Sequence, residues 1–254
     1  MSPIRKGGEP FHYPGKSPGM LLIHGFTAAP QEIQQLGSYL NARGNAILGV
    51  RLFAHASERE DILRARFQDW IASVEDGYHL LSDRCSSIII IGLSLGGALA
   101  LHAASRLPCS AVIAMSTPHR MPPNPIYFRL RPILRPLSAL IQFRPKKFTP
   151  WRDMQARNAR VQYDQYPLRS LIELEAMLNE MRNQLPRVQV PTLLIHSRTD
   201  DAVPGEHMQA NFSLIGSKHK QLVWIEESDH IITADHARQE VFDTIGQFLQ
   251  QVSE

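Results

Sequence analysis

Four short apolar runs punctuate the first half of the chain, at residues 20–24, 47–50, 88–91 and 111–115, and none alternates with polar positions. Unbroken runs of this length are what strands need when both faces of their sheet are covered. Between them the apolar spacing lengthens to a helical period. Ile33, Leu36 and Leu40 recur on one face, Pro30 falls in the first turn where no N–H is needed, and Gly44 supplies a stop. Residues 67–81 and 95–107 read as two further helices. Strand alternating with helix predicts an α/β chain with right-handed crossovers and a mostly parallel central sheet flanked by helices.

The alternation lapses after Thr117. From Pro118 to Pro186 the chain is rich in proline and arginine, with one helical stretch at 171–185. Strand patterns resume at 192–196 and 222–225, and Val241, Ile245, Phe248 and Leu249 form the apolar side of a closing helix. Residues 1–117 and 187–254 therefore make the core, and 118–186 a small inserted cap. An insertion between parallel strands belongs over their carboxyl ends, where ligands bind.

With 254 residues, of which 43% are hydrophobic, the chain fills one well-packed domain. A net charge of +3 is too small to argue for nucleic acid. The first eight residues carry basic side chains with no apolar run behind them, which is not a secretory signal, and no run is long enough to span a bilayer. Cys85 and Cys109 make neither a metal motif nor a disulfide framework. Each should lie near the start of one of two neighbouring strands, where a bond between them needs the right register and two separate thiols are the simpler reading. A cytoplasmic protein without cofactor or metal is expected.

Gly92-Leu93-Ser94-Leu95-Gly96 fits G-x-S-x-G, a weak pattern alone. Its context strengthens it, because the apolar strand at 88–91 precedes it and small residues (Gly96, Gly97, Ala98, Ala100) open the helix that follows. At such an elbow glycines let the backbone turn tightly and the serine hydroxyl projects at the top of the sheet. The passive alternative is a glycine-rich turn. A nucleophilic serine needs a base, and the base an orienting acid, in the chain order Ser, Asp, His, each just after a strand. The strand at 192–196 runs into Asp200-Asp201, and that at 222–225 into Asp229-His230.

Of eleven histidines, His230 alone follows a late strand and precedes the last helix. His196, His207 and His236 lie near enough to stay as weaker candidates, and His24 reads as an orienting or packing residue. Backbone N–H groups of Phe26, in the loop after the first strand, and of Leu95, after the serine, are placed to hold an oxyanion.

Several segments together resemble the bacterial carboxylesterase and monoacylglycerol lipase family of α/β-hydrolases. They are Glu9-Pro10-Phe11, Leu21-Leu22-Ile23-His24-Gly25-Phe26-Thr27, Phe67-Gln68-Asp69-Trp70, the Ser94 elbow, Asp200-Asp201-Ala202-Val203-Pro204, and the run from Ser228 to Asp235. The likeness covers nearly all of the chain except the cap. It implies the α/β-hydrolase fold with a lid over an acyl pocket, no cofactor, and hydrolysis of monoacylglycerols or similar small esters. It implies Asp200 as the acid beside Ser94 and His230. Two positions depart from the family: Ala54-His55-Ala56 stands where Gly-His-Gly is usual, and Asp229 where glycine precedes the catalytic histidine. An extra carboxylate there would raise the histidine pKa if it pointed inward. Competing readings are a hydrolase or acyltransferase of another acyl bond, such as a thioester or peptide, and a catalytically silent ligand receptor.

The cap carries the charge. Thirteen Lys and Arg against five acids between 120 and 190 give +8, leaving −5 elsewhere. Ile126, Tyr127, Phe128, Leu130, Ile133 and Leu134 interleave with the cations. Basic plus apolar suits transient contact with anionic lipid, whereas a solvated lid exterior with an apolar underside is the plainer account. Oligomeric state is not legible.

Overall fold

The computed structural model describes residues 2–121, 142–146 and 152–252. In chain order the strands are β1 (Phe11–Tyr13), β2 (Lys16–Ile23), β3 (Asn45–Val50), β4 (Ile88–Leu93), β5 (Ala111–Met115), β6 (Phe143–Pro145), β7 (Gln165–Pro167), β8 (Thr192–Ser197) and β9 (Lys220–Ile225). The helices are α1 (Gln31–Asn41), α2 (Phe67–Ser82), α3 (Leu95–Ala104), α4 (Met154–Ala159), α5 (Leu168–Gln184), α6 (Glu206–Leu214) and α7 (Arg238–Gln251). Seven strands form one sheet in the order β1-β3-β2-β4-β5-β8-β9. All pair in parallel except β1, which closes one edge antiparallel to β3.

Because successive side chains of a strand face opposite ways, each apolar run feeds two cores. Leu21, Ile23, Ile88 and Ile90 pack with Val74 and Leu81 of α2, Leu99 of α3, and Met177 and Leu178 of α5. Met20, Leu22, Ile89 and Ile91 pack on the other side with Ile33, Leu36 and Leu40 of α1 and Val241, Ile245 and Phe248 of α7. This two-sided burial is the reason the runs lack polar alternation.

Some boundaries differ from the pattern. Pro30 sits one residue before α1. Helix α3 stops at Ala104 rather than 107: the N–H groups of Arg106 and Leu107 close turns onto Ala103 O, and Pro108 disfavours helical backbone at the residue before it. His24 lies just past β2. Cys85 and Cys109 are both free thiols, three and two residues ahead of β4 and β5.

Within 118–186, β6 and β7 form a separate antiparallel pair, and α5 returns to pack on α3. Arg129, Arg131, Arg135, Lys147 and the apolar residues from Ile126 to Leu134 lie outside the described residues. The segment is laced to the core by Tyr163, whose N–H donates to Thr27 O (2.9 Å) and whose hydroxyl donates to Ala54 O (2.9 Å). The loops after β2, β4, β8 and β9 all open at the carboxyl edge of the sheet, and the candidate residues lie in them.

Candidate active site

Strand β4 ends one residue before Ser94, which caps α3 with φ +57° and ψ −116°. A non-glycine residue held there stores on the order of 1–3 kcal/mol of strain and persists only where its surroundings impose it. Its own N–H donates to Met115 O at 2.8 Å, pinning the elbow to β5. The flanking glycines are needed for space. A Cβ on Gly92 would lie 2.0 Å from Gly96 O, and one on Gly96 2.1 Å from Ile23 O. Strand, elbow and helix approach so closely that only hydrogen fits.

The turn brings three side chains into line. His230 Nε2 lies 3.0 Å from Ser94 Oγ, and His230 Nδ1 lies 2.7 Å from Asp200 Oδ2. A carboxylate only accepts, so Nδ1 carries the proton and Nε2 is left to accept from the serine hydroxyl. Asp200 is itself held: its Oδ1 accepts from the N–H groups of Ala202 (2.9 Å) and Val203 (2.8 Å). Burial works to raise its pKa, but the charge and hydrogen bond of His230, with His196 and the Val203 amide, outweigh it and leave the carboxyl below its ordinary value. Asp201 is exposed and takes no part in this line.

His196 stands behind Asp200. Its Nε2 donates to Val203 O at 2.7 Å and lies 3.4 Å from Asp200 Oδ2. Burial lowers its pKa, against the raising effects of Asp200 and the Val203 carbonyl. A neutral ring is thereby wedged under Asp200, with Trp224 edge-on at 6.0 Å. His207 instead accepts the His119 N–H (3.0 Å), and His236 pairs at the surface with Glu227.

The loop after β2 is organised around His24. Leu52 N donates to His24 Nε2 (3.1 Å), which forces the proton onto Nδ1, and Nδ1 donates to Gly25 O (2.9 Å). That carbonyl belongs to the same peptide group as the Phe26 N–H, so the hydrogen bond polarises the donor expected to face an oxyanion. Burial, then His55, drives the His24 pKa well down, keeping the ring neutral. Among the described residues neither the Phe26 nor the Leu95 N–H meets an acceptor. Gly25 N is held by Glu32 Oε2 at 3.0 Å, and the buried Glu32 pairs through Oε1 with Arg160, just past α4.

Ala54 and Ala56, where the resembled family has glycine, keep left-handed backbone at φ +60° and +54°. Each costs about 1 kcal/mol or more for an L-residue. Hydrogen bonds to all three carbonyls hold the turn: Tyr163 Oη to Ala54 O, Arg51 to His55 O (2.7 Å) and Arg5 N to Ala56 O (2.8 Å). His55 is buried edge-on to His24 (5.2 Å) and Trp70 (5.8 Å), and burial takes its pKa to about 4.

Asp235 joins the His230 loop to the start of α4. Its Oδ2 accepts from Asp229 N (2.8 Å), and its Oδ1 from Arg152 N (3.1 Å) and Asp153 N (2.8 Å) at the start of α4. Asp229 has its pKa raised by burial first, then by Asp235, with Asp201 and Asp200 adding and Arg152 opposing. Sequence reasoning did not assign roles to Glu32, Arg160, Lys146 or Asp235. Only Asp235 carried a signal, as the end of the run that starts at Ser228. Among the described residues no group of three His, Cys, Asp or Glu could hold a metal ion, and no helix is long and apolar enough to cross a membrane.

The family model described as serine aminopeptidase, S33 (Hydrolase_4) matches residues 17–237. A carboxylesterase of Bacillus subtilis (strain 168) is 28% identical over 245 residues, covering 96% of this chain and 97% of its own. A thermostable monoacylglycerol lipase of Bacillus sp. (strain H-257) is 28% identical over 235 residues, covering 92% and 91%. A solved structure of the metagenome-derived lipolytic enzymes LipS and LipT superposes with a TM-score of 0.88 at 26% identity, over 98% of this chain and 100% of that one. The monoacylglycerol lipase of Paleococcus ferrophilus shares the fold at a TM-score of 0.81 and 17% identity, over 96% and 98%.

Proposed function

The chain belongs to the serine aminopeptidase S33 (Hydrolase_4) family and is a serine hydrolase of the α/β-hydrolase fold, and on that premise we propose that it hydrolyses monoacylglycerols or similar single-chain esters through Ser94, His230 and Asp200. The observation that carries the reading is the continuous line from Asp200 through His230 to Ser94 Oγ, with contacts of 2.7 and 3.0 Å. Ser94 Oγ attacks the ester carbonyl while His230 Nε2 takes its proton. The tetrahedral oxyanion is held by the Phe26 and Leu95 N–H groups. His230 then protonates the leaving alcohol as the C–O bond breaks, and an acyl-serine remains. Water repeats the sequence from the other side: His230 takes its proton, then gives it to Ser94 Oγ as the acyl–Oγ bond breaks, and the free acid leaves. Asp200 holds the imidazole tautomer and stabilises the imidazolium.

The substrate class follows the activities of the two Bacillus relatives, with 118–186 taken as a cap over the acyl chain. The family description also names peptide chemistry, which keeps amide substrates as the competing reading. Fluorophosphonate labelling separates an enzyme from a silent receptor: the reagent should modify Ser94 and nothing in Ser94→Ala. Rates on mono-, di- and triacylglycerols and on aminoacyl amides then decide the bond, and faster amide than ester cleavage would overturn the ester reading. The two free thiols support a reducing, cytoplasmic setting. A second reading, peripheral contact with anionic membrane, is favoured by the +8 charge between 120 and 190. Sedimentation with anionic vesicles, weakening as salt rises, is its expected signature, and equal binding to neutral vesicles would remove it.

A further inference from the structure

Lys146, the residue after β6, carries an amine that the triad does not use. Its Nζ donates to Thr27 Oγ1 at 2.7 Å and to Gln162 Oε1 at 3.2 Å, and stands 5.2 Å from the centre of the Tyr166 ring. Tyr166 lies parallel to Phe26 with ring centroids 6.4 Å apart, and the Thr27 hydroxyl donates to Phe26 O at 2.6 Å. The amine is thus bonded to the loop that carries the Phe26 N–H. Thr27 is two residues from Gly25, where a Cβ would sit 3.5 Å from the Ser94 Cβ.

An ammonium offers three N–H donors, and only two here have partners among the described residues. Both partners are neutral oxygens. No described carboxylate forms an ion pair with Nζ: Glu32 and Asp164 act on it from farther away, and Glu32 is engaged by Arg160. Buried cations are ordinarily paired. Here burial, aided by Arg160 and opposed by Glu32 and Asp164, lowers the Lys146 pKa to about 7, so the amine is close to losing its proton at neutral pH.

We propose that Lys146, with Thr27 and Gln162, forms a subsite for an anionic oxygen group, phosphate or carboxylate, on the alcohol side of the substrate. The alcohol side follows from position, because the amine adjoins the oxyanion loop and therefore meets atoms a few bonds from the ester carbonyl. On a fatty acyl chain those atoms are plain methylenes. The anion supplies a counter-charge that no described carboxylate gives, takes the third N–H, and holds the amine protonated. This rests on the ester-hydrolase reading and names a substrate class within it.

The test uses two soluble esters that differ only in the phosphate, 1-butyrylglycerol and 1-butyrylglycerol 3-phosphate, with the full-length chain and Lys146→Met. The ratio of their kcat/KM values should favour the phosphate-bearing ester at pH 6. It should shrink at pH 8.5 and fall by roughly ten- to a hundredfold in Lys146→Met, mainly through KM, the scale of one charge-assisted hydrogen bond. Inorganic phosphate that inhibits the wild type but not the variant would show that the free ion occupies the same place. Hydrolysis of both esters with a ratio indifferent to pH and to the substitution overturns the subsite and leaves the enzyme reading intact. If neither ester is hydrolysed, that reading falls, and the subsite is judged by calorimetric binding of the same pair to Ser94→Ala with and without Lys146→Met. Equal affinities would then overturn it, whereas phosphate-dependent binding that needs Lys146 would uphold it.

Discussion

Replacing Asp200 with asparagine changes one atom, and the neighbouring donors dictate which one. The N–H groups of Ala202 and Val203 both point at Oδ1, so the amide carbonyl must take that place and the NH2 must take the place of Oδ2. A donor then faces His230 Nδ1 where an acceptor stood 2.7 Å away. The imidazole answers by giving up its Nδ1 proton and carrying one on Nε2, where it faces Ser94 Oγ and cannot accept. The fold is little disturbed, since both amide bonds survive, but the base is locked in the wrong tautomer. The same exchange in a triad protease lowers kcat by about 10⁴, which at about 1.36 kcal/mol per decade is about 5.4 kcal/mol of lost transition-state stabilisation. Steady-state rates on a short soluble ester should show this loss in kcat, with labelling by fluorophosphonate slowed in parallel and Tm nearly unchanged. Asp201→Asn should cost little, because Asp201 is exposed and outside the line. A loss under tenfold for Asp200→Asn, or a larger loss for Asp201→Asn, would refute the reasoning.

Ser94→Ala should abolish turnover while Tm stays equal or rises, since the alanine removes only the hydroxyl; retention of more than a few per cent of kcat would dismiss the elbow as the site. Arg160→Met leaves the buried Glu32 carboxylate without its cation, so stability should drop by about 3 kcal/mol. That is a Tm decrease of roughly 6–12 °C for a chain of this size, and an unchanged Tm would show the pair to be incidental. Asp229→Asn should stabilise the protein at neutral pH. Burial and neighbouring carboxylates raise its pKa above the unfolded value of about 3.9, so stability is lost as pH rises from there to the folded value. The Tm difference from wild type should vanish below about pH 4, and a difference that persists there would assign it to another cause. Cys109, pushed up to about 12 by burial, should resist iodoacetamide at pH 8 in the native state and react once unfolded, as read by peptide mass.

The parts of the fold that depend on local pattern were legible. Residues 111–115 appear unchanged as β5, and 67–81 became α2 with one more residue, because two-sided burial and amphipathic spacing both leave a mark in sequence. The three residues of β1 are too few to show a period, and α6 mixes polar and apolar residues on every side. In the site, Ser94, Asp200 and His230 could be proposed because each follows a strand with a motif around it. Their supports could not. Glu32 meets Arg160 across 128 residues and Lys146 meets Thr27 across 119, and such pairings write nothing in the local pattern on either side. His196 was visible only as one of several histidines, since what singles it out is a carbonyl seven residues later turned back onto its ring. Ala54 and Ala56 read as departures, and only the backbone shows that the turn itself is retained.

Ser94 and His230 are 136 residues apart in the chain, and Asp200 lies between them. During synthesis the residues of strand, elbow and helix are therefore joined long before the proposed base is. Synthesis proceeds at about 5–20 residues per second, so for roughly 7–27 s the nascent chain carries the serine without its histidine. Only when β9 adds to the free edge of β8 does the histidine reach its place. On the proposed triad, chemical competence appears only with the last strand, and a chain broken off earlier, whether by premature termination or by proteolysis, should be inert toward acyl groups around it.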